Sequence, residues 1–168
     1  MVYQFKDEWL DLVDENDQVI DCILRSDAMR QGLKNFRAVI GFLKNSNGQL
    51  WIPRRVKEKI CFPLALDMSV AGHVGSGETY AEAFRREAAE EINFYGEYRL
   101  LGKVSPHKDG ALCFEYIYEI LSDDAPSYNS DDFCEAFWLY PQELLDMINQ
   151  GERAKQDIPL LIKKFYLD

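Results

Sequence analysis

The stretch from Gly72 to Phe94, GHVGSGETYAEAFRREAAEEINF, constrains this chain more than any other. A glycine-rich turn runs into a segment with its own start signal, since Thr79 followed three residues later by Glu82 reads as a capping box. Ala81, Phe84, Ala88 and Ile92 then fall on one narrow apolar stripe at helical spacing. The spacing predicts a helix that lays a small-residue face on a sheet. Glu87, Glu90 and Glu91 lie within an arc of roughly 100° and border that stripe. Asn93 closes the helix, because asparagine comes second after glycine for the left-handed position past a helix end. Three carboxylates on a helix are ordinarily a solvated face. Gly72, Glu78 and Arg86, at fixed distances from them, make them candidates for chemistry.

The flanking chain reads as strands. WLDLVD and VIDCILR, joined by Glu15-Asn16-Asp17, form a hairpin, and SDAMRQGL is a short helix capped by Ser26 or Asp27. FRAVIGFL, the turn Asn45 to Gly48 and QLWIPRR make a second hairpin signal. Leu66 to Val70 is a short strand feeding the glycine turn. Beyond the central helix, YRLLGKVSPHK and ALCFEYIYEIL are strands around a loop at His107 to Gly110. Phe114, Tyr116 and Tyr118 mark one buried face. FCEAFWL is a further strand, Pro141 opens a helix, and a last helix spans about Ile158 to Tyr166. Strands on both sides of a central helix, with helices at the end, indicate an α/β sandwich around a mixed sheet.

At 168 residues with 47% apolar content the chain buries one core. One domain, 1–168, is therefore expected, with residues 1–35 as an N-terminal hairpin extension. No run approaches the roughly 18 apolar residues of a membrane span, and the acidic, aromatic N-terminus is unlike a signal peptide. Cys22, Cys61, Cys113 and Cys134 lie far apart beside apolar residues, which predicts buried free thiols in a reducing, cytoplasmic setting. The net charge of −10, from 29 acidic against 19 basic residues, argues against a nucleic-acid duplex or a membrane surface as partner. A phosphorylated small molecule remains compatible if a divalent cation or local arginines reverse the sign at the site. Monomer and homodimer are both left open.

Gly72, Glu78, Arg86-Glu87 and Glu90-Glu91, closing on Phe94, resemble the signature of the Nudix hydrolases. That signature is a glycine, five residues, Glu, seven residues, Arg-Glu, an apolar residue, one residue, Glu-Glu, one residue, glycine and an apolar residue. Ala88 stands for the usual bulkier aliphatic and Asn93 for the usual glycine, and neither change removes a functional group. The resemblance implies a Nudix-type α/β/α sandwich with a mixed central sheet. It implies a metal-dependent hydrolase that cleaves a diphosphate bond in nucleoside di- or triphosphates or other nucleoside-diphosphate-X compounds. The implied cofactor is Mg²⁺, with Mn²⁺ as a substitute. Glu87 and Glu91 would be the principal ligands, completed by Glu90 and the Gly72 carbonyl. Arg86 would hold the carboxylates, and Glu78 would pair with it or bind the metal through water, though an ordinary helix salt bridge fits the same pattern. The physical logic agrees: a hard cation prefers carboxylates, relieves their mutual repulsion and activates water.

Glu91 is the first candidate for general base, with Asp131, Asp132 and Glu135 as loop alternatives whose ordinary role is solvation. Arg54 and Arg55 match the paired arginines that often close this hairpin in the family. Their guanidinium forks suit phosphate oxygens, and salt bridges to the glutamate-rich helix are the alternative. Phe62, His107 and Phe133 either border a base or prenyl group or anchor core and loops.

The upstream chain, EWLDLVDENDQVI, NGQLWIPRR and LDMSVAGHV, looks like the branch that contains isopentenyl-diphosphate isomerases. Isomerases carry a catalytic cysteine directly before the Gly-His, and here Ala71 stands there. His73 matches an isomerase metal ligand, but the only other histidine is His107, and Arg37 falls near where a further ligand would be. The hydrolase pattern is whole, so hydrolysis is the expectation. Isomerisation and a non-catalytic nucleotide-binding domain are the alternatives.

Overall fold

The computed structural model of the chain describes residues 7–167; the first six residues of the expected extension fall outside it. β1 (Trp9–Val13) and β2 (Val19–Leu24) pair antiparallel as the predicted hairpin. The short helix α1 (Arg25–Arg30) follows, and neither Ser26 nor Asp27 caps it: Leu24 holds the cap position without a side-chain bond. Asp7 takes over that role from outside, accepting from Ser26 N at 3.1 Å and Ser26 Oγ at 2.5 Å. Beneath the hairpin, Leu10 and Ala28 pack on Phe36, Ala38 and Cys113.

β3 (Arg37–Lys44) is buried from Ala38 to Leu43, as a strand covered on both faces must be. Gly48, at φ 83°, turns the chain into β4 (Leu50–Arg55). The two strands pair only at Lys44 and Leu50 and then part. β5 (Val70–His73) enters the gap, running antiparallel to β3 from Ala38↔His73 to Gly41↔Val70. It starts later than predicted, because Leu66 is held by bridges to Arg54 and Ala154 before the chain turns. Ser69 stands in the fork, fully buried. Its hydroxyl accepts from Leu43 N at 2.8 Å and donates to Trp51 O at 2.6 Å. One hydroxyl thus serves a donor on β3 and an acceptor on β4.

α2 (Tyr80–Ile92) starts at the predicted capping box, with Glu82 N donating to Thr79 Oγ1 and Thr79 N to Glu82 Oε2. It ends at Asn93 in the left-handed conformation, φ 49°. Its buried face is Ala83, Phe84, Ala88 and Ile92, with Ala83 in place of the expected Ala81. Ala83 shares a row with Glu87 and Glu91, four residues apart, so the helix is turned further toward β5 than the apolar stripe alone indicates. Gly41 is what lets the helix settle: a Cβ there would stand 2.6 Å from the Phe84 ring.

β6 (Arg99–Val104) leads into α3 (Pro106–Asp109), a single turn where a loop was expected. Ser105 caps it, Pro106 sits in its first turn and Gly110 closes it. β7 (Phe114–Leu121) lies parallel to β3 and antiparallel to β6. It is buried on both faces: aromatics face α2, while Glu115 and Glu119, 3% and 2% exposed, lie on the other side. β8 (Phe133–Leu139) pairs with β4, giving the sheet order β6-β7-β3-β4-β8 with β5 in the fork. α4 (Pro141–Asn149) and α5 (Ile158–Ile162), which runs on into a π-helical turn at Lys163–Leu167, cover the face opposite α2. The result is the expected α/β/α sandwich around a mixed sheet. No helix among the described residues is long and apolar enough to cross a membrane.

The thiols depart from expectation. Only Cys113 is buried; Cys22, Cys61 and Cys134 are exposed. Apolar neighbours along a strand do not bury a residue when nothing is layered over it, as for Cys22 on the outer strand of the two-stranded hairpin.

The fork yields a stability prediction. Ser69→Ala leaves a buried donor and a buried acceptor unmatched and is expected to cost about 1–3 kcal/mol. A urea denaturation with an unchanged midpoint would show that the parting of β3 and β4 does not depend on the hydroxyl.

Candidate active site

β5 and α2 approach so closely at Gly72 that a Cβ there would stand 2.0 Å from Glu87 Cδ. The glycine is thus required by the glutamate beside it. Arg86 joins the turn to the helix. Nε and Nη2 grip the two Glu78 oxygens at 2.9 Å each, Nη2 also reaches His73 O at 3.0 Å, and Nη1 holds Glu87 Oε1 at 2.5 Å. Glu78 Oε2 in turn accepts from Gly75 N at 2.9 Å. Burial works to raise Glu78, but the guanidinium fork and the Gly75 amide outweigh it and hold the carboxyl below its usual range. The same bonds raise Arg86, which stays charged.

The other helix glutamates behave differently. Burial pushes Glu87 up to about 7 against the pull of Arg86. Burial also raises Glu91 well above the carboxylate range, and the charges of Glu87 and Asp67 add to it. The Ala71 amide, bonded to Glu91 Oε2 at 2.9 Å, and Lys155 oppose the shift. Glu90 is 60% exposed, with Oε2 3.8 Å from Arg86 Nη1. Among the described residues no three His, Cys, Asp or Glu side chains converge as placed to hold a metal ion. The donor set still fits a hard cation in kind, because the crowded carboxylates of Glu87 and Glu91 lie close to the Gly72 backbone and a third, largely exposed glutamate, Glu90, stands on the same helix.

These groups border a cleft of about 1020 Å³. Beneath its lining lies Asp67, 1% exposed, which bonds Arg55 Nη1 at 2.6 Å and Lys155 Nζ at 2.9 Å. Burial opposes its ionisation, and the two cations win, holding it below its usual range. Asp67 therefore fixes two positive groups on the cleft wall.

Of the expected site residues, Gly72, Glu78, Arg86, Glu87, Glu90, Glu91 and Arg55 all line this cleft. Arg54 does not: its guanidinium holds Glu135 at 2.5 Å, Glu152 at 2.8 Å and Leu64 O at 3.0 Å. Neither arginine reaches α2, so the alternative of salt bridges to that helix gives way to Asp67, Glu135 and Glu152. Asp131 and Asp132 line the cleft, Asp132 paired with Lys59, whereas Glu135 stays with Arg54. Phe62 is at the cleft; His107 lies against Phe114, and Phe133 is buried on Trp51 and Tyr128. His73 Nδ1 is 3.2 Å from Glu8 Oε1, and burial keeps the imidazole below its ordinary value. Asp67, Lys155, Glu115 and Asp157 were not anticipated. Glu115 had a signal, a carboxylate in the middle of the apolar strand CFEYIYEIL; Lys155 had none, because only the return of the C-terminal segment to Leu66 brings it here.

The family model of the NUDIX domain matches residues 34–160. An uncharacterized Nudix hydrolase of Nostoc sp. is 50% identical over 162 residues, 95% of this chain and 96% of that one. A Nudix hydrolase of Deinococcus radiodurans is 48% identical over 164 residues, 95% of each. The crystal structure of DR0079 from Deinococcus radiodurans superposes with a TM-score of 0.90 at 47% identity, covering 95% of this chain and 99% of that one. The MutT protein of Methanosarcina mazei shares the fold at 16% identity, with a TM-score of 0.62 over 77% of this chain and 91% of its own. With the Gly72–Phe94 signature folded as a capped helix against β5, and with relatives at this identity along nearly the whole chain, the protein belongs to the Nudix hydrolase family.

Proposed function

We propose that this Nudix hydrolase uses a divalent cation, Mg²⁺ or in its place Mn²⁺, to cleave a diphosphate bond in nucleoside di- or triphosphates or other nucleoside-diphosphate-X compounds. Pyrophosphate-bond hydrolysis is the family's general chemistry. The observation that carries the finer reading is the crowding of Glu87 and Glu91, two half-buried carboxylates pushed up together at the edge of the cleft. Glu87, Glu91, Glu90 and the Gly72 carbonyl would hold the cation. When bound, it supplies positive charge to the diphosphate oxygens and makes a water more acidic.

The chain's own groups divide the remaining work. Arg86 keeps Glu87 and Glu78 in place. The Ala71 amide fixes one oxygen of Glu91, leaving the other to take a proton from the attacking water. The water oxygen bonds to one phosphorus, the anhydride P–O bond breaks, and a nucleoside 5′-monophosphate leaves with phosphate or a second phosphorylated fragment. Arg55 and Lys155, braced by Asp67, would meet phosphate oxygens, whereas Arg54 ties β4 to Glu135 and Glu152. Asp131 and Asp132 are the alternative bases from the loop. Residues 1–168 act as one unit in this reading, with the hairpin extension contributing Glu8 and Arg25 to the cleft. Isomerisation is the less favoured reading, since Ala71 brings only a methyl group to the cleft where an isomerase needs its cysteine.

A phosphate-release screen over nucleoside di- and triphosphates, nucleotide sugars and dinucleoside polyphosphates, with Mg²⁺ or Mn²⁺, tests the activity. Isopentenyl diphosphate is assayed beside them. Turnover of the prenyl compound alone would transfer the chain to the isomerases, and metal binding without any turnover would make it a binding domain. Glu91→Gln is expected to lower kcat by at least about a hundredfold with an unchanged circular dichroism spectrum; full activity would remove Glu91 from the mechanism.

Glu87 gives a pH prediction. Its value in the folded chain, about 7, lies above the ordinary 4.5. Its contribution to stability is therefore full below about 4.5 and is lost as the pH rises through 7. Metal-free Glu87→Gln should melt higher than the parent at pH 8, by at most about 3 kcal/mol of stability, and the same at pH 4. Added Mg²⁺ should raise the parent's melting temperature more than the variant's. Equal metal-free melts at pH 8 would show that Glu87 carries no such strain.

A further inference from the structure

The turn that opens the signature, Gly72 to Glu78, carries three glycines and has little of its own to hold it. Within it, Glu78 N donates to Gly75 O at 3.0 Å and Gly75 N to Glu78 Oε2 at 2.9 Å, with Gly77 left-handed at φ 79°. β3 adds one bond, from Val74 N to Arg37 O at 3.0 Å. At the tip, Gly75 to Gly77, the outside partners come from β1. Leu10 bridges antiparallel to Gly75, and Trp9 O accepts from Ser76 N at 2.8 Å. Asp11 Oδ1 accepts from Ser76 Oγ at 2.6 Å, and its Oδ2 accepts from Gly77 N at 3.0 Å. Glycine is conformationally free, so a turn built from it keeps one shape only where neighbours impose it.

Asp11 sits in the middle of the apolar strand WLDLV and is only 7% exposed. Burying a carboxylate is costly unless hydrogen bonds replace the water it loses. Among the described residues, both of its side-chain bonds go to the turn and none to its own hairpin. β1 is itself fixed to the body at two points. Leu10 is fully buried with Ala28, Phe36, Ala38 and Cys113. At the hairpin's own turn, Asp17 accepts from Arg37 Nε at 2.6 Å and from the Tyr80 hydroxyl at 2.9 Å, and Tyr80 is the first residue of α2. From the glycine turn a relay runs into the site, Gly75 N to Glu78, Glu78 to Arg86 and Arg86 to Glu87. The whole of β1 lies outside the NUDIX domain match, which begins at residue 34.

We propose that Asp11 is a positioning residue: through Ser76 and Gly77 it holds the glycine turn, and with it the Glu78–Arg86 pair that fixes Glu87. The hairpin outside the domain match is then a working part of the site. The catalytic consequence rests on the diphosphate-hydrolase reading above, whereas the first test reads the relay itself, without metal or turnover. The Arg86 Nε–H, bonded to Glu78 Oε1 at 2.9 Å, is followed by nitrogen-edited NMR of the metal-free protein, and Arg86→Lys identifies the signal by its disappearance. The wild type should show it distinct and slow to exchange, and Asp11→Ala should lose it. Asp11→Asn can accept from Gly77 N and donate to Ser76 Oγ, so it should restore the signal.

Mn²⁺ affinity, measured by calorimetry, should weaken about tenfold in Asp11→Ala, as when a group that orients a metal ligand is removed. Where turnover is measurable, kcat should fall by about tenfold or more, with KM within about threefold of wild type. Ile23→Ala trims a partly buried side chain of the same hairpin that packs on its apolar underside. It should lower the melting temperature and leave the Arg86 signal, the Mn²⁺ affinity and kcat unchanged. Ser76→Ala, at an exposed position, removes one of the two partners of Asp11 and carries the test should Asp11→Ala fail to fold. An Arg86 signal unchanged in the variant that carries the test would overturn the proposal. So would a wild type without that signal, equal losses in Ile23→Ala, or turnover at the wild-type rate in Asp11→Ala. A signal lost in Asp11→Ala and restored in Asp11→Asn, in a protein that hydrolyses no diphosphate, would keep the positioning role and sink the hydrolase reading alone.

Discussion

The Ser69 hydroxyl stands where β3 and β4 part, and the site depends on that parting. Hairpin strands normally stay paired along their length, and separating them exposes a donor on one and an acceptor on the other. Ser69 meets both at once, from inside the core. The gap it holds open is filled by β5, and β5 carries Ala71, Gly72 and His73 to the edge of α2. Without the fork, Gly72 would have no place beside Glu87, and the glutamates of α2 would face solvent as those of most helices do.

Within that frame, the electrostatics are arranged by a few buried anchors. Arg86 and Asp67 each hold partners of the opposite charge. Arg86 fixes Glu78 and Glu87, and Asp67 fixes Arg55 and Lys155. A chain with ten excess negative charges thereby presents positive groups in the same cleft as its carboxylates. Burial leaves Glu87 and Glu91 incompletely compensated, the condition under which a divalent cation gains most by binding.

Much of α2 was legible along the chain because its determinants are local. The capping box, the left-handed Asn93 and the row of glutamates each depend on residues three or four positions apart. The strands were legible by alternation, though β5 was displaced because Leu66 answers to Arg54 and Ala154, which are distant in sequence. The turn of α2 toward β5, which buries Ala83 in place of Ala81, was hidden for the same reason. Three of the four cysteines were misjudged because apolar neighbours do not show whether a layer lies above them.

The sequence by itself determined the fold family, the capped helix, the glutamate register and the glycine that must lie against it, since each is written in spacings shorter than a few helical turns. Only the tertiary structure decided that Arg55 faces the cleft while Arg54 turns to Glu135 and Glu152, and that Lys155 and Asp157 return from the far end of the chain to meet Asp67 and Glu115. Adjacent residues on a strand point to opposite faces, and which face meets a cleft is set by what packs there. The Gly72–Phe94 stretch supplies the carboxylates, and long-range packing supplies the charges that surround them.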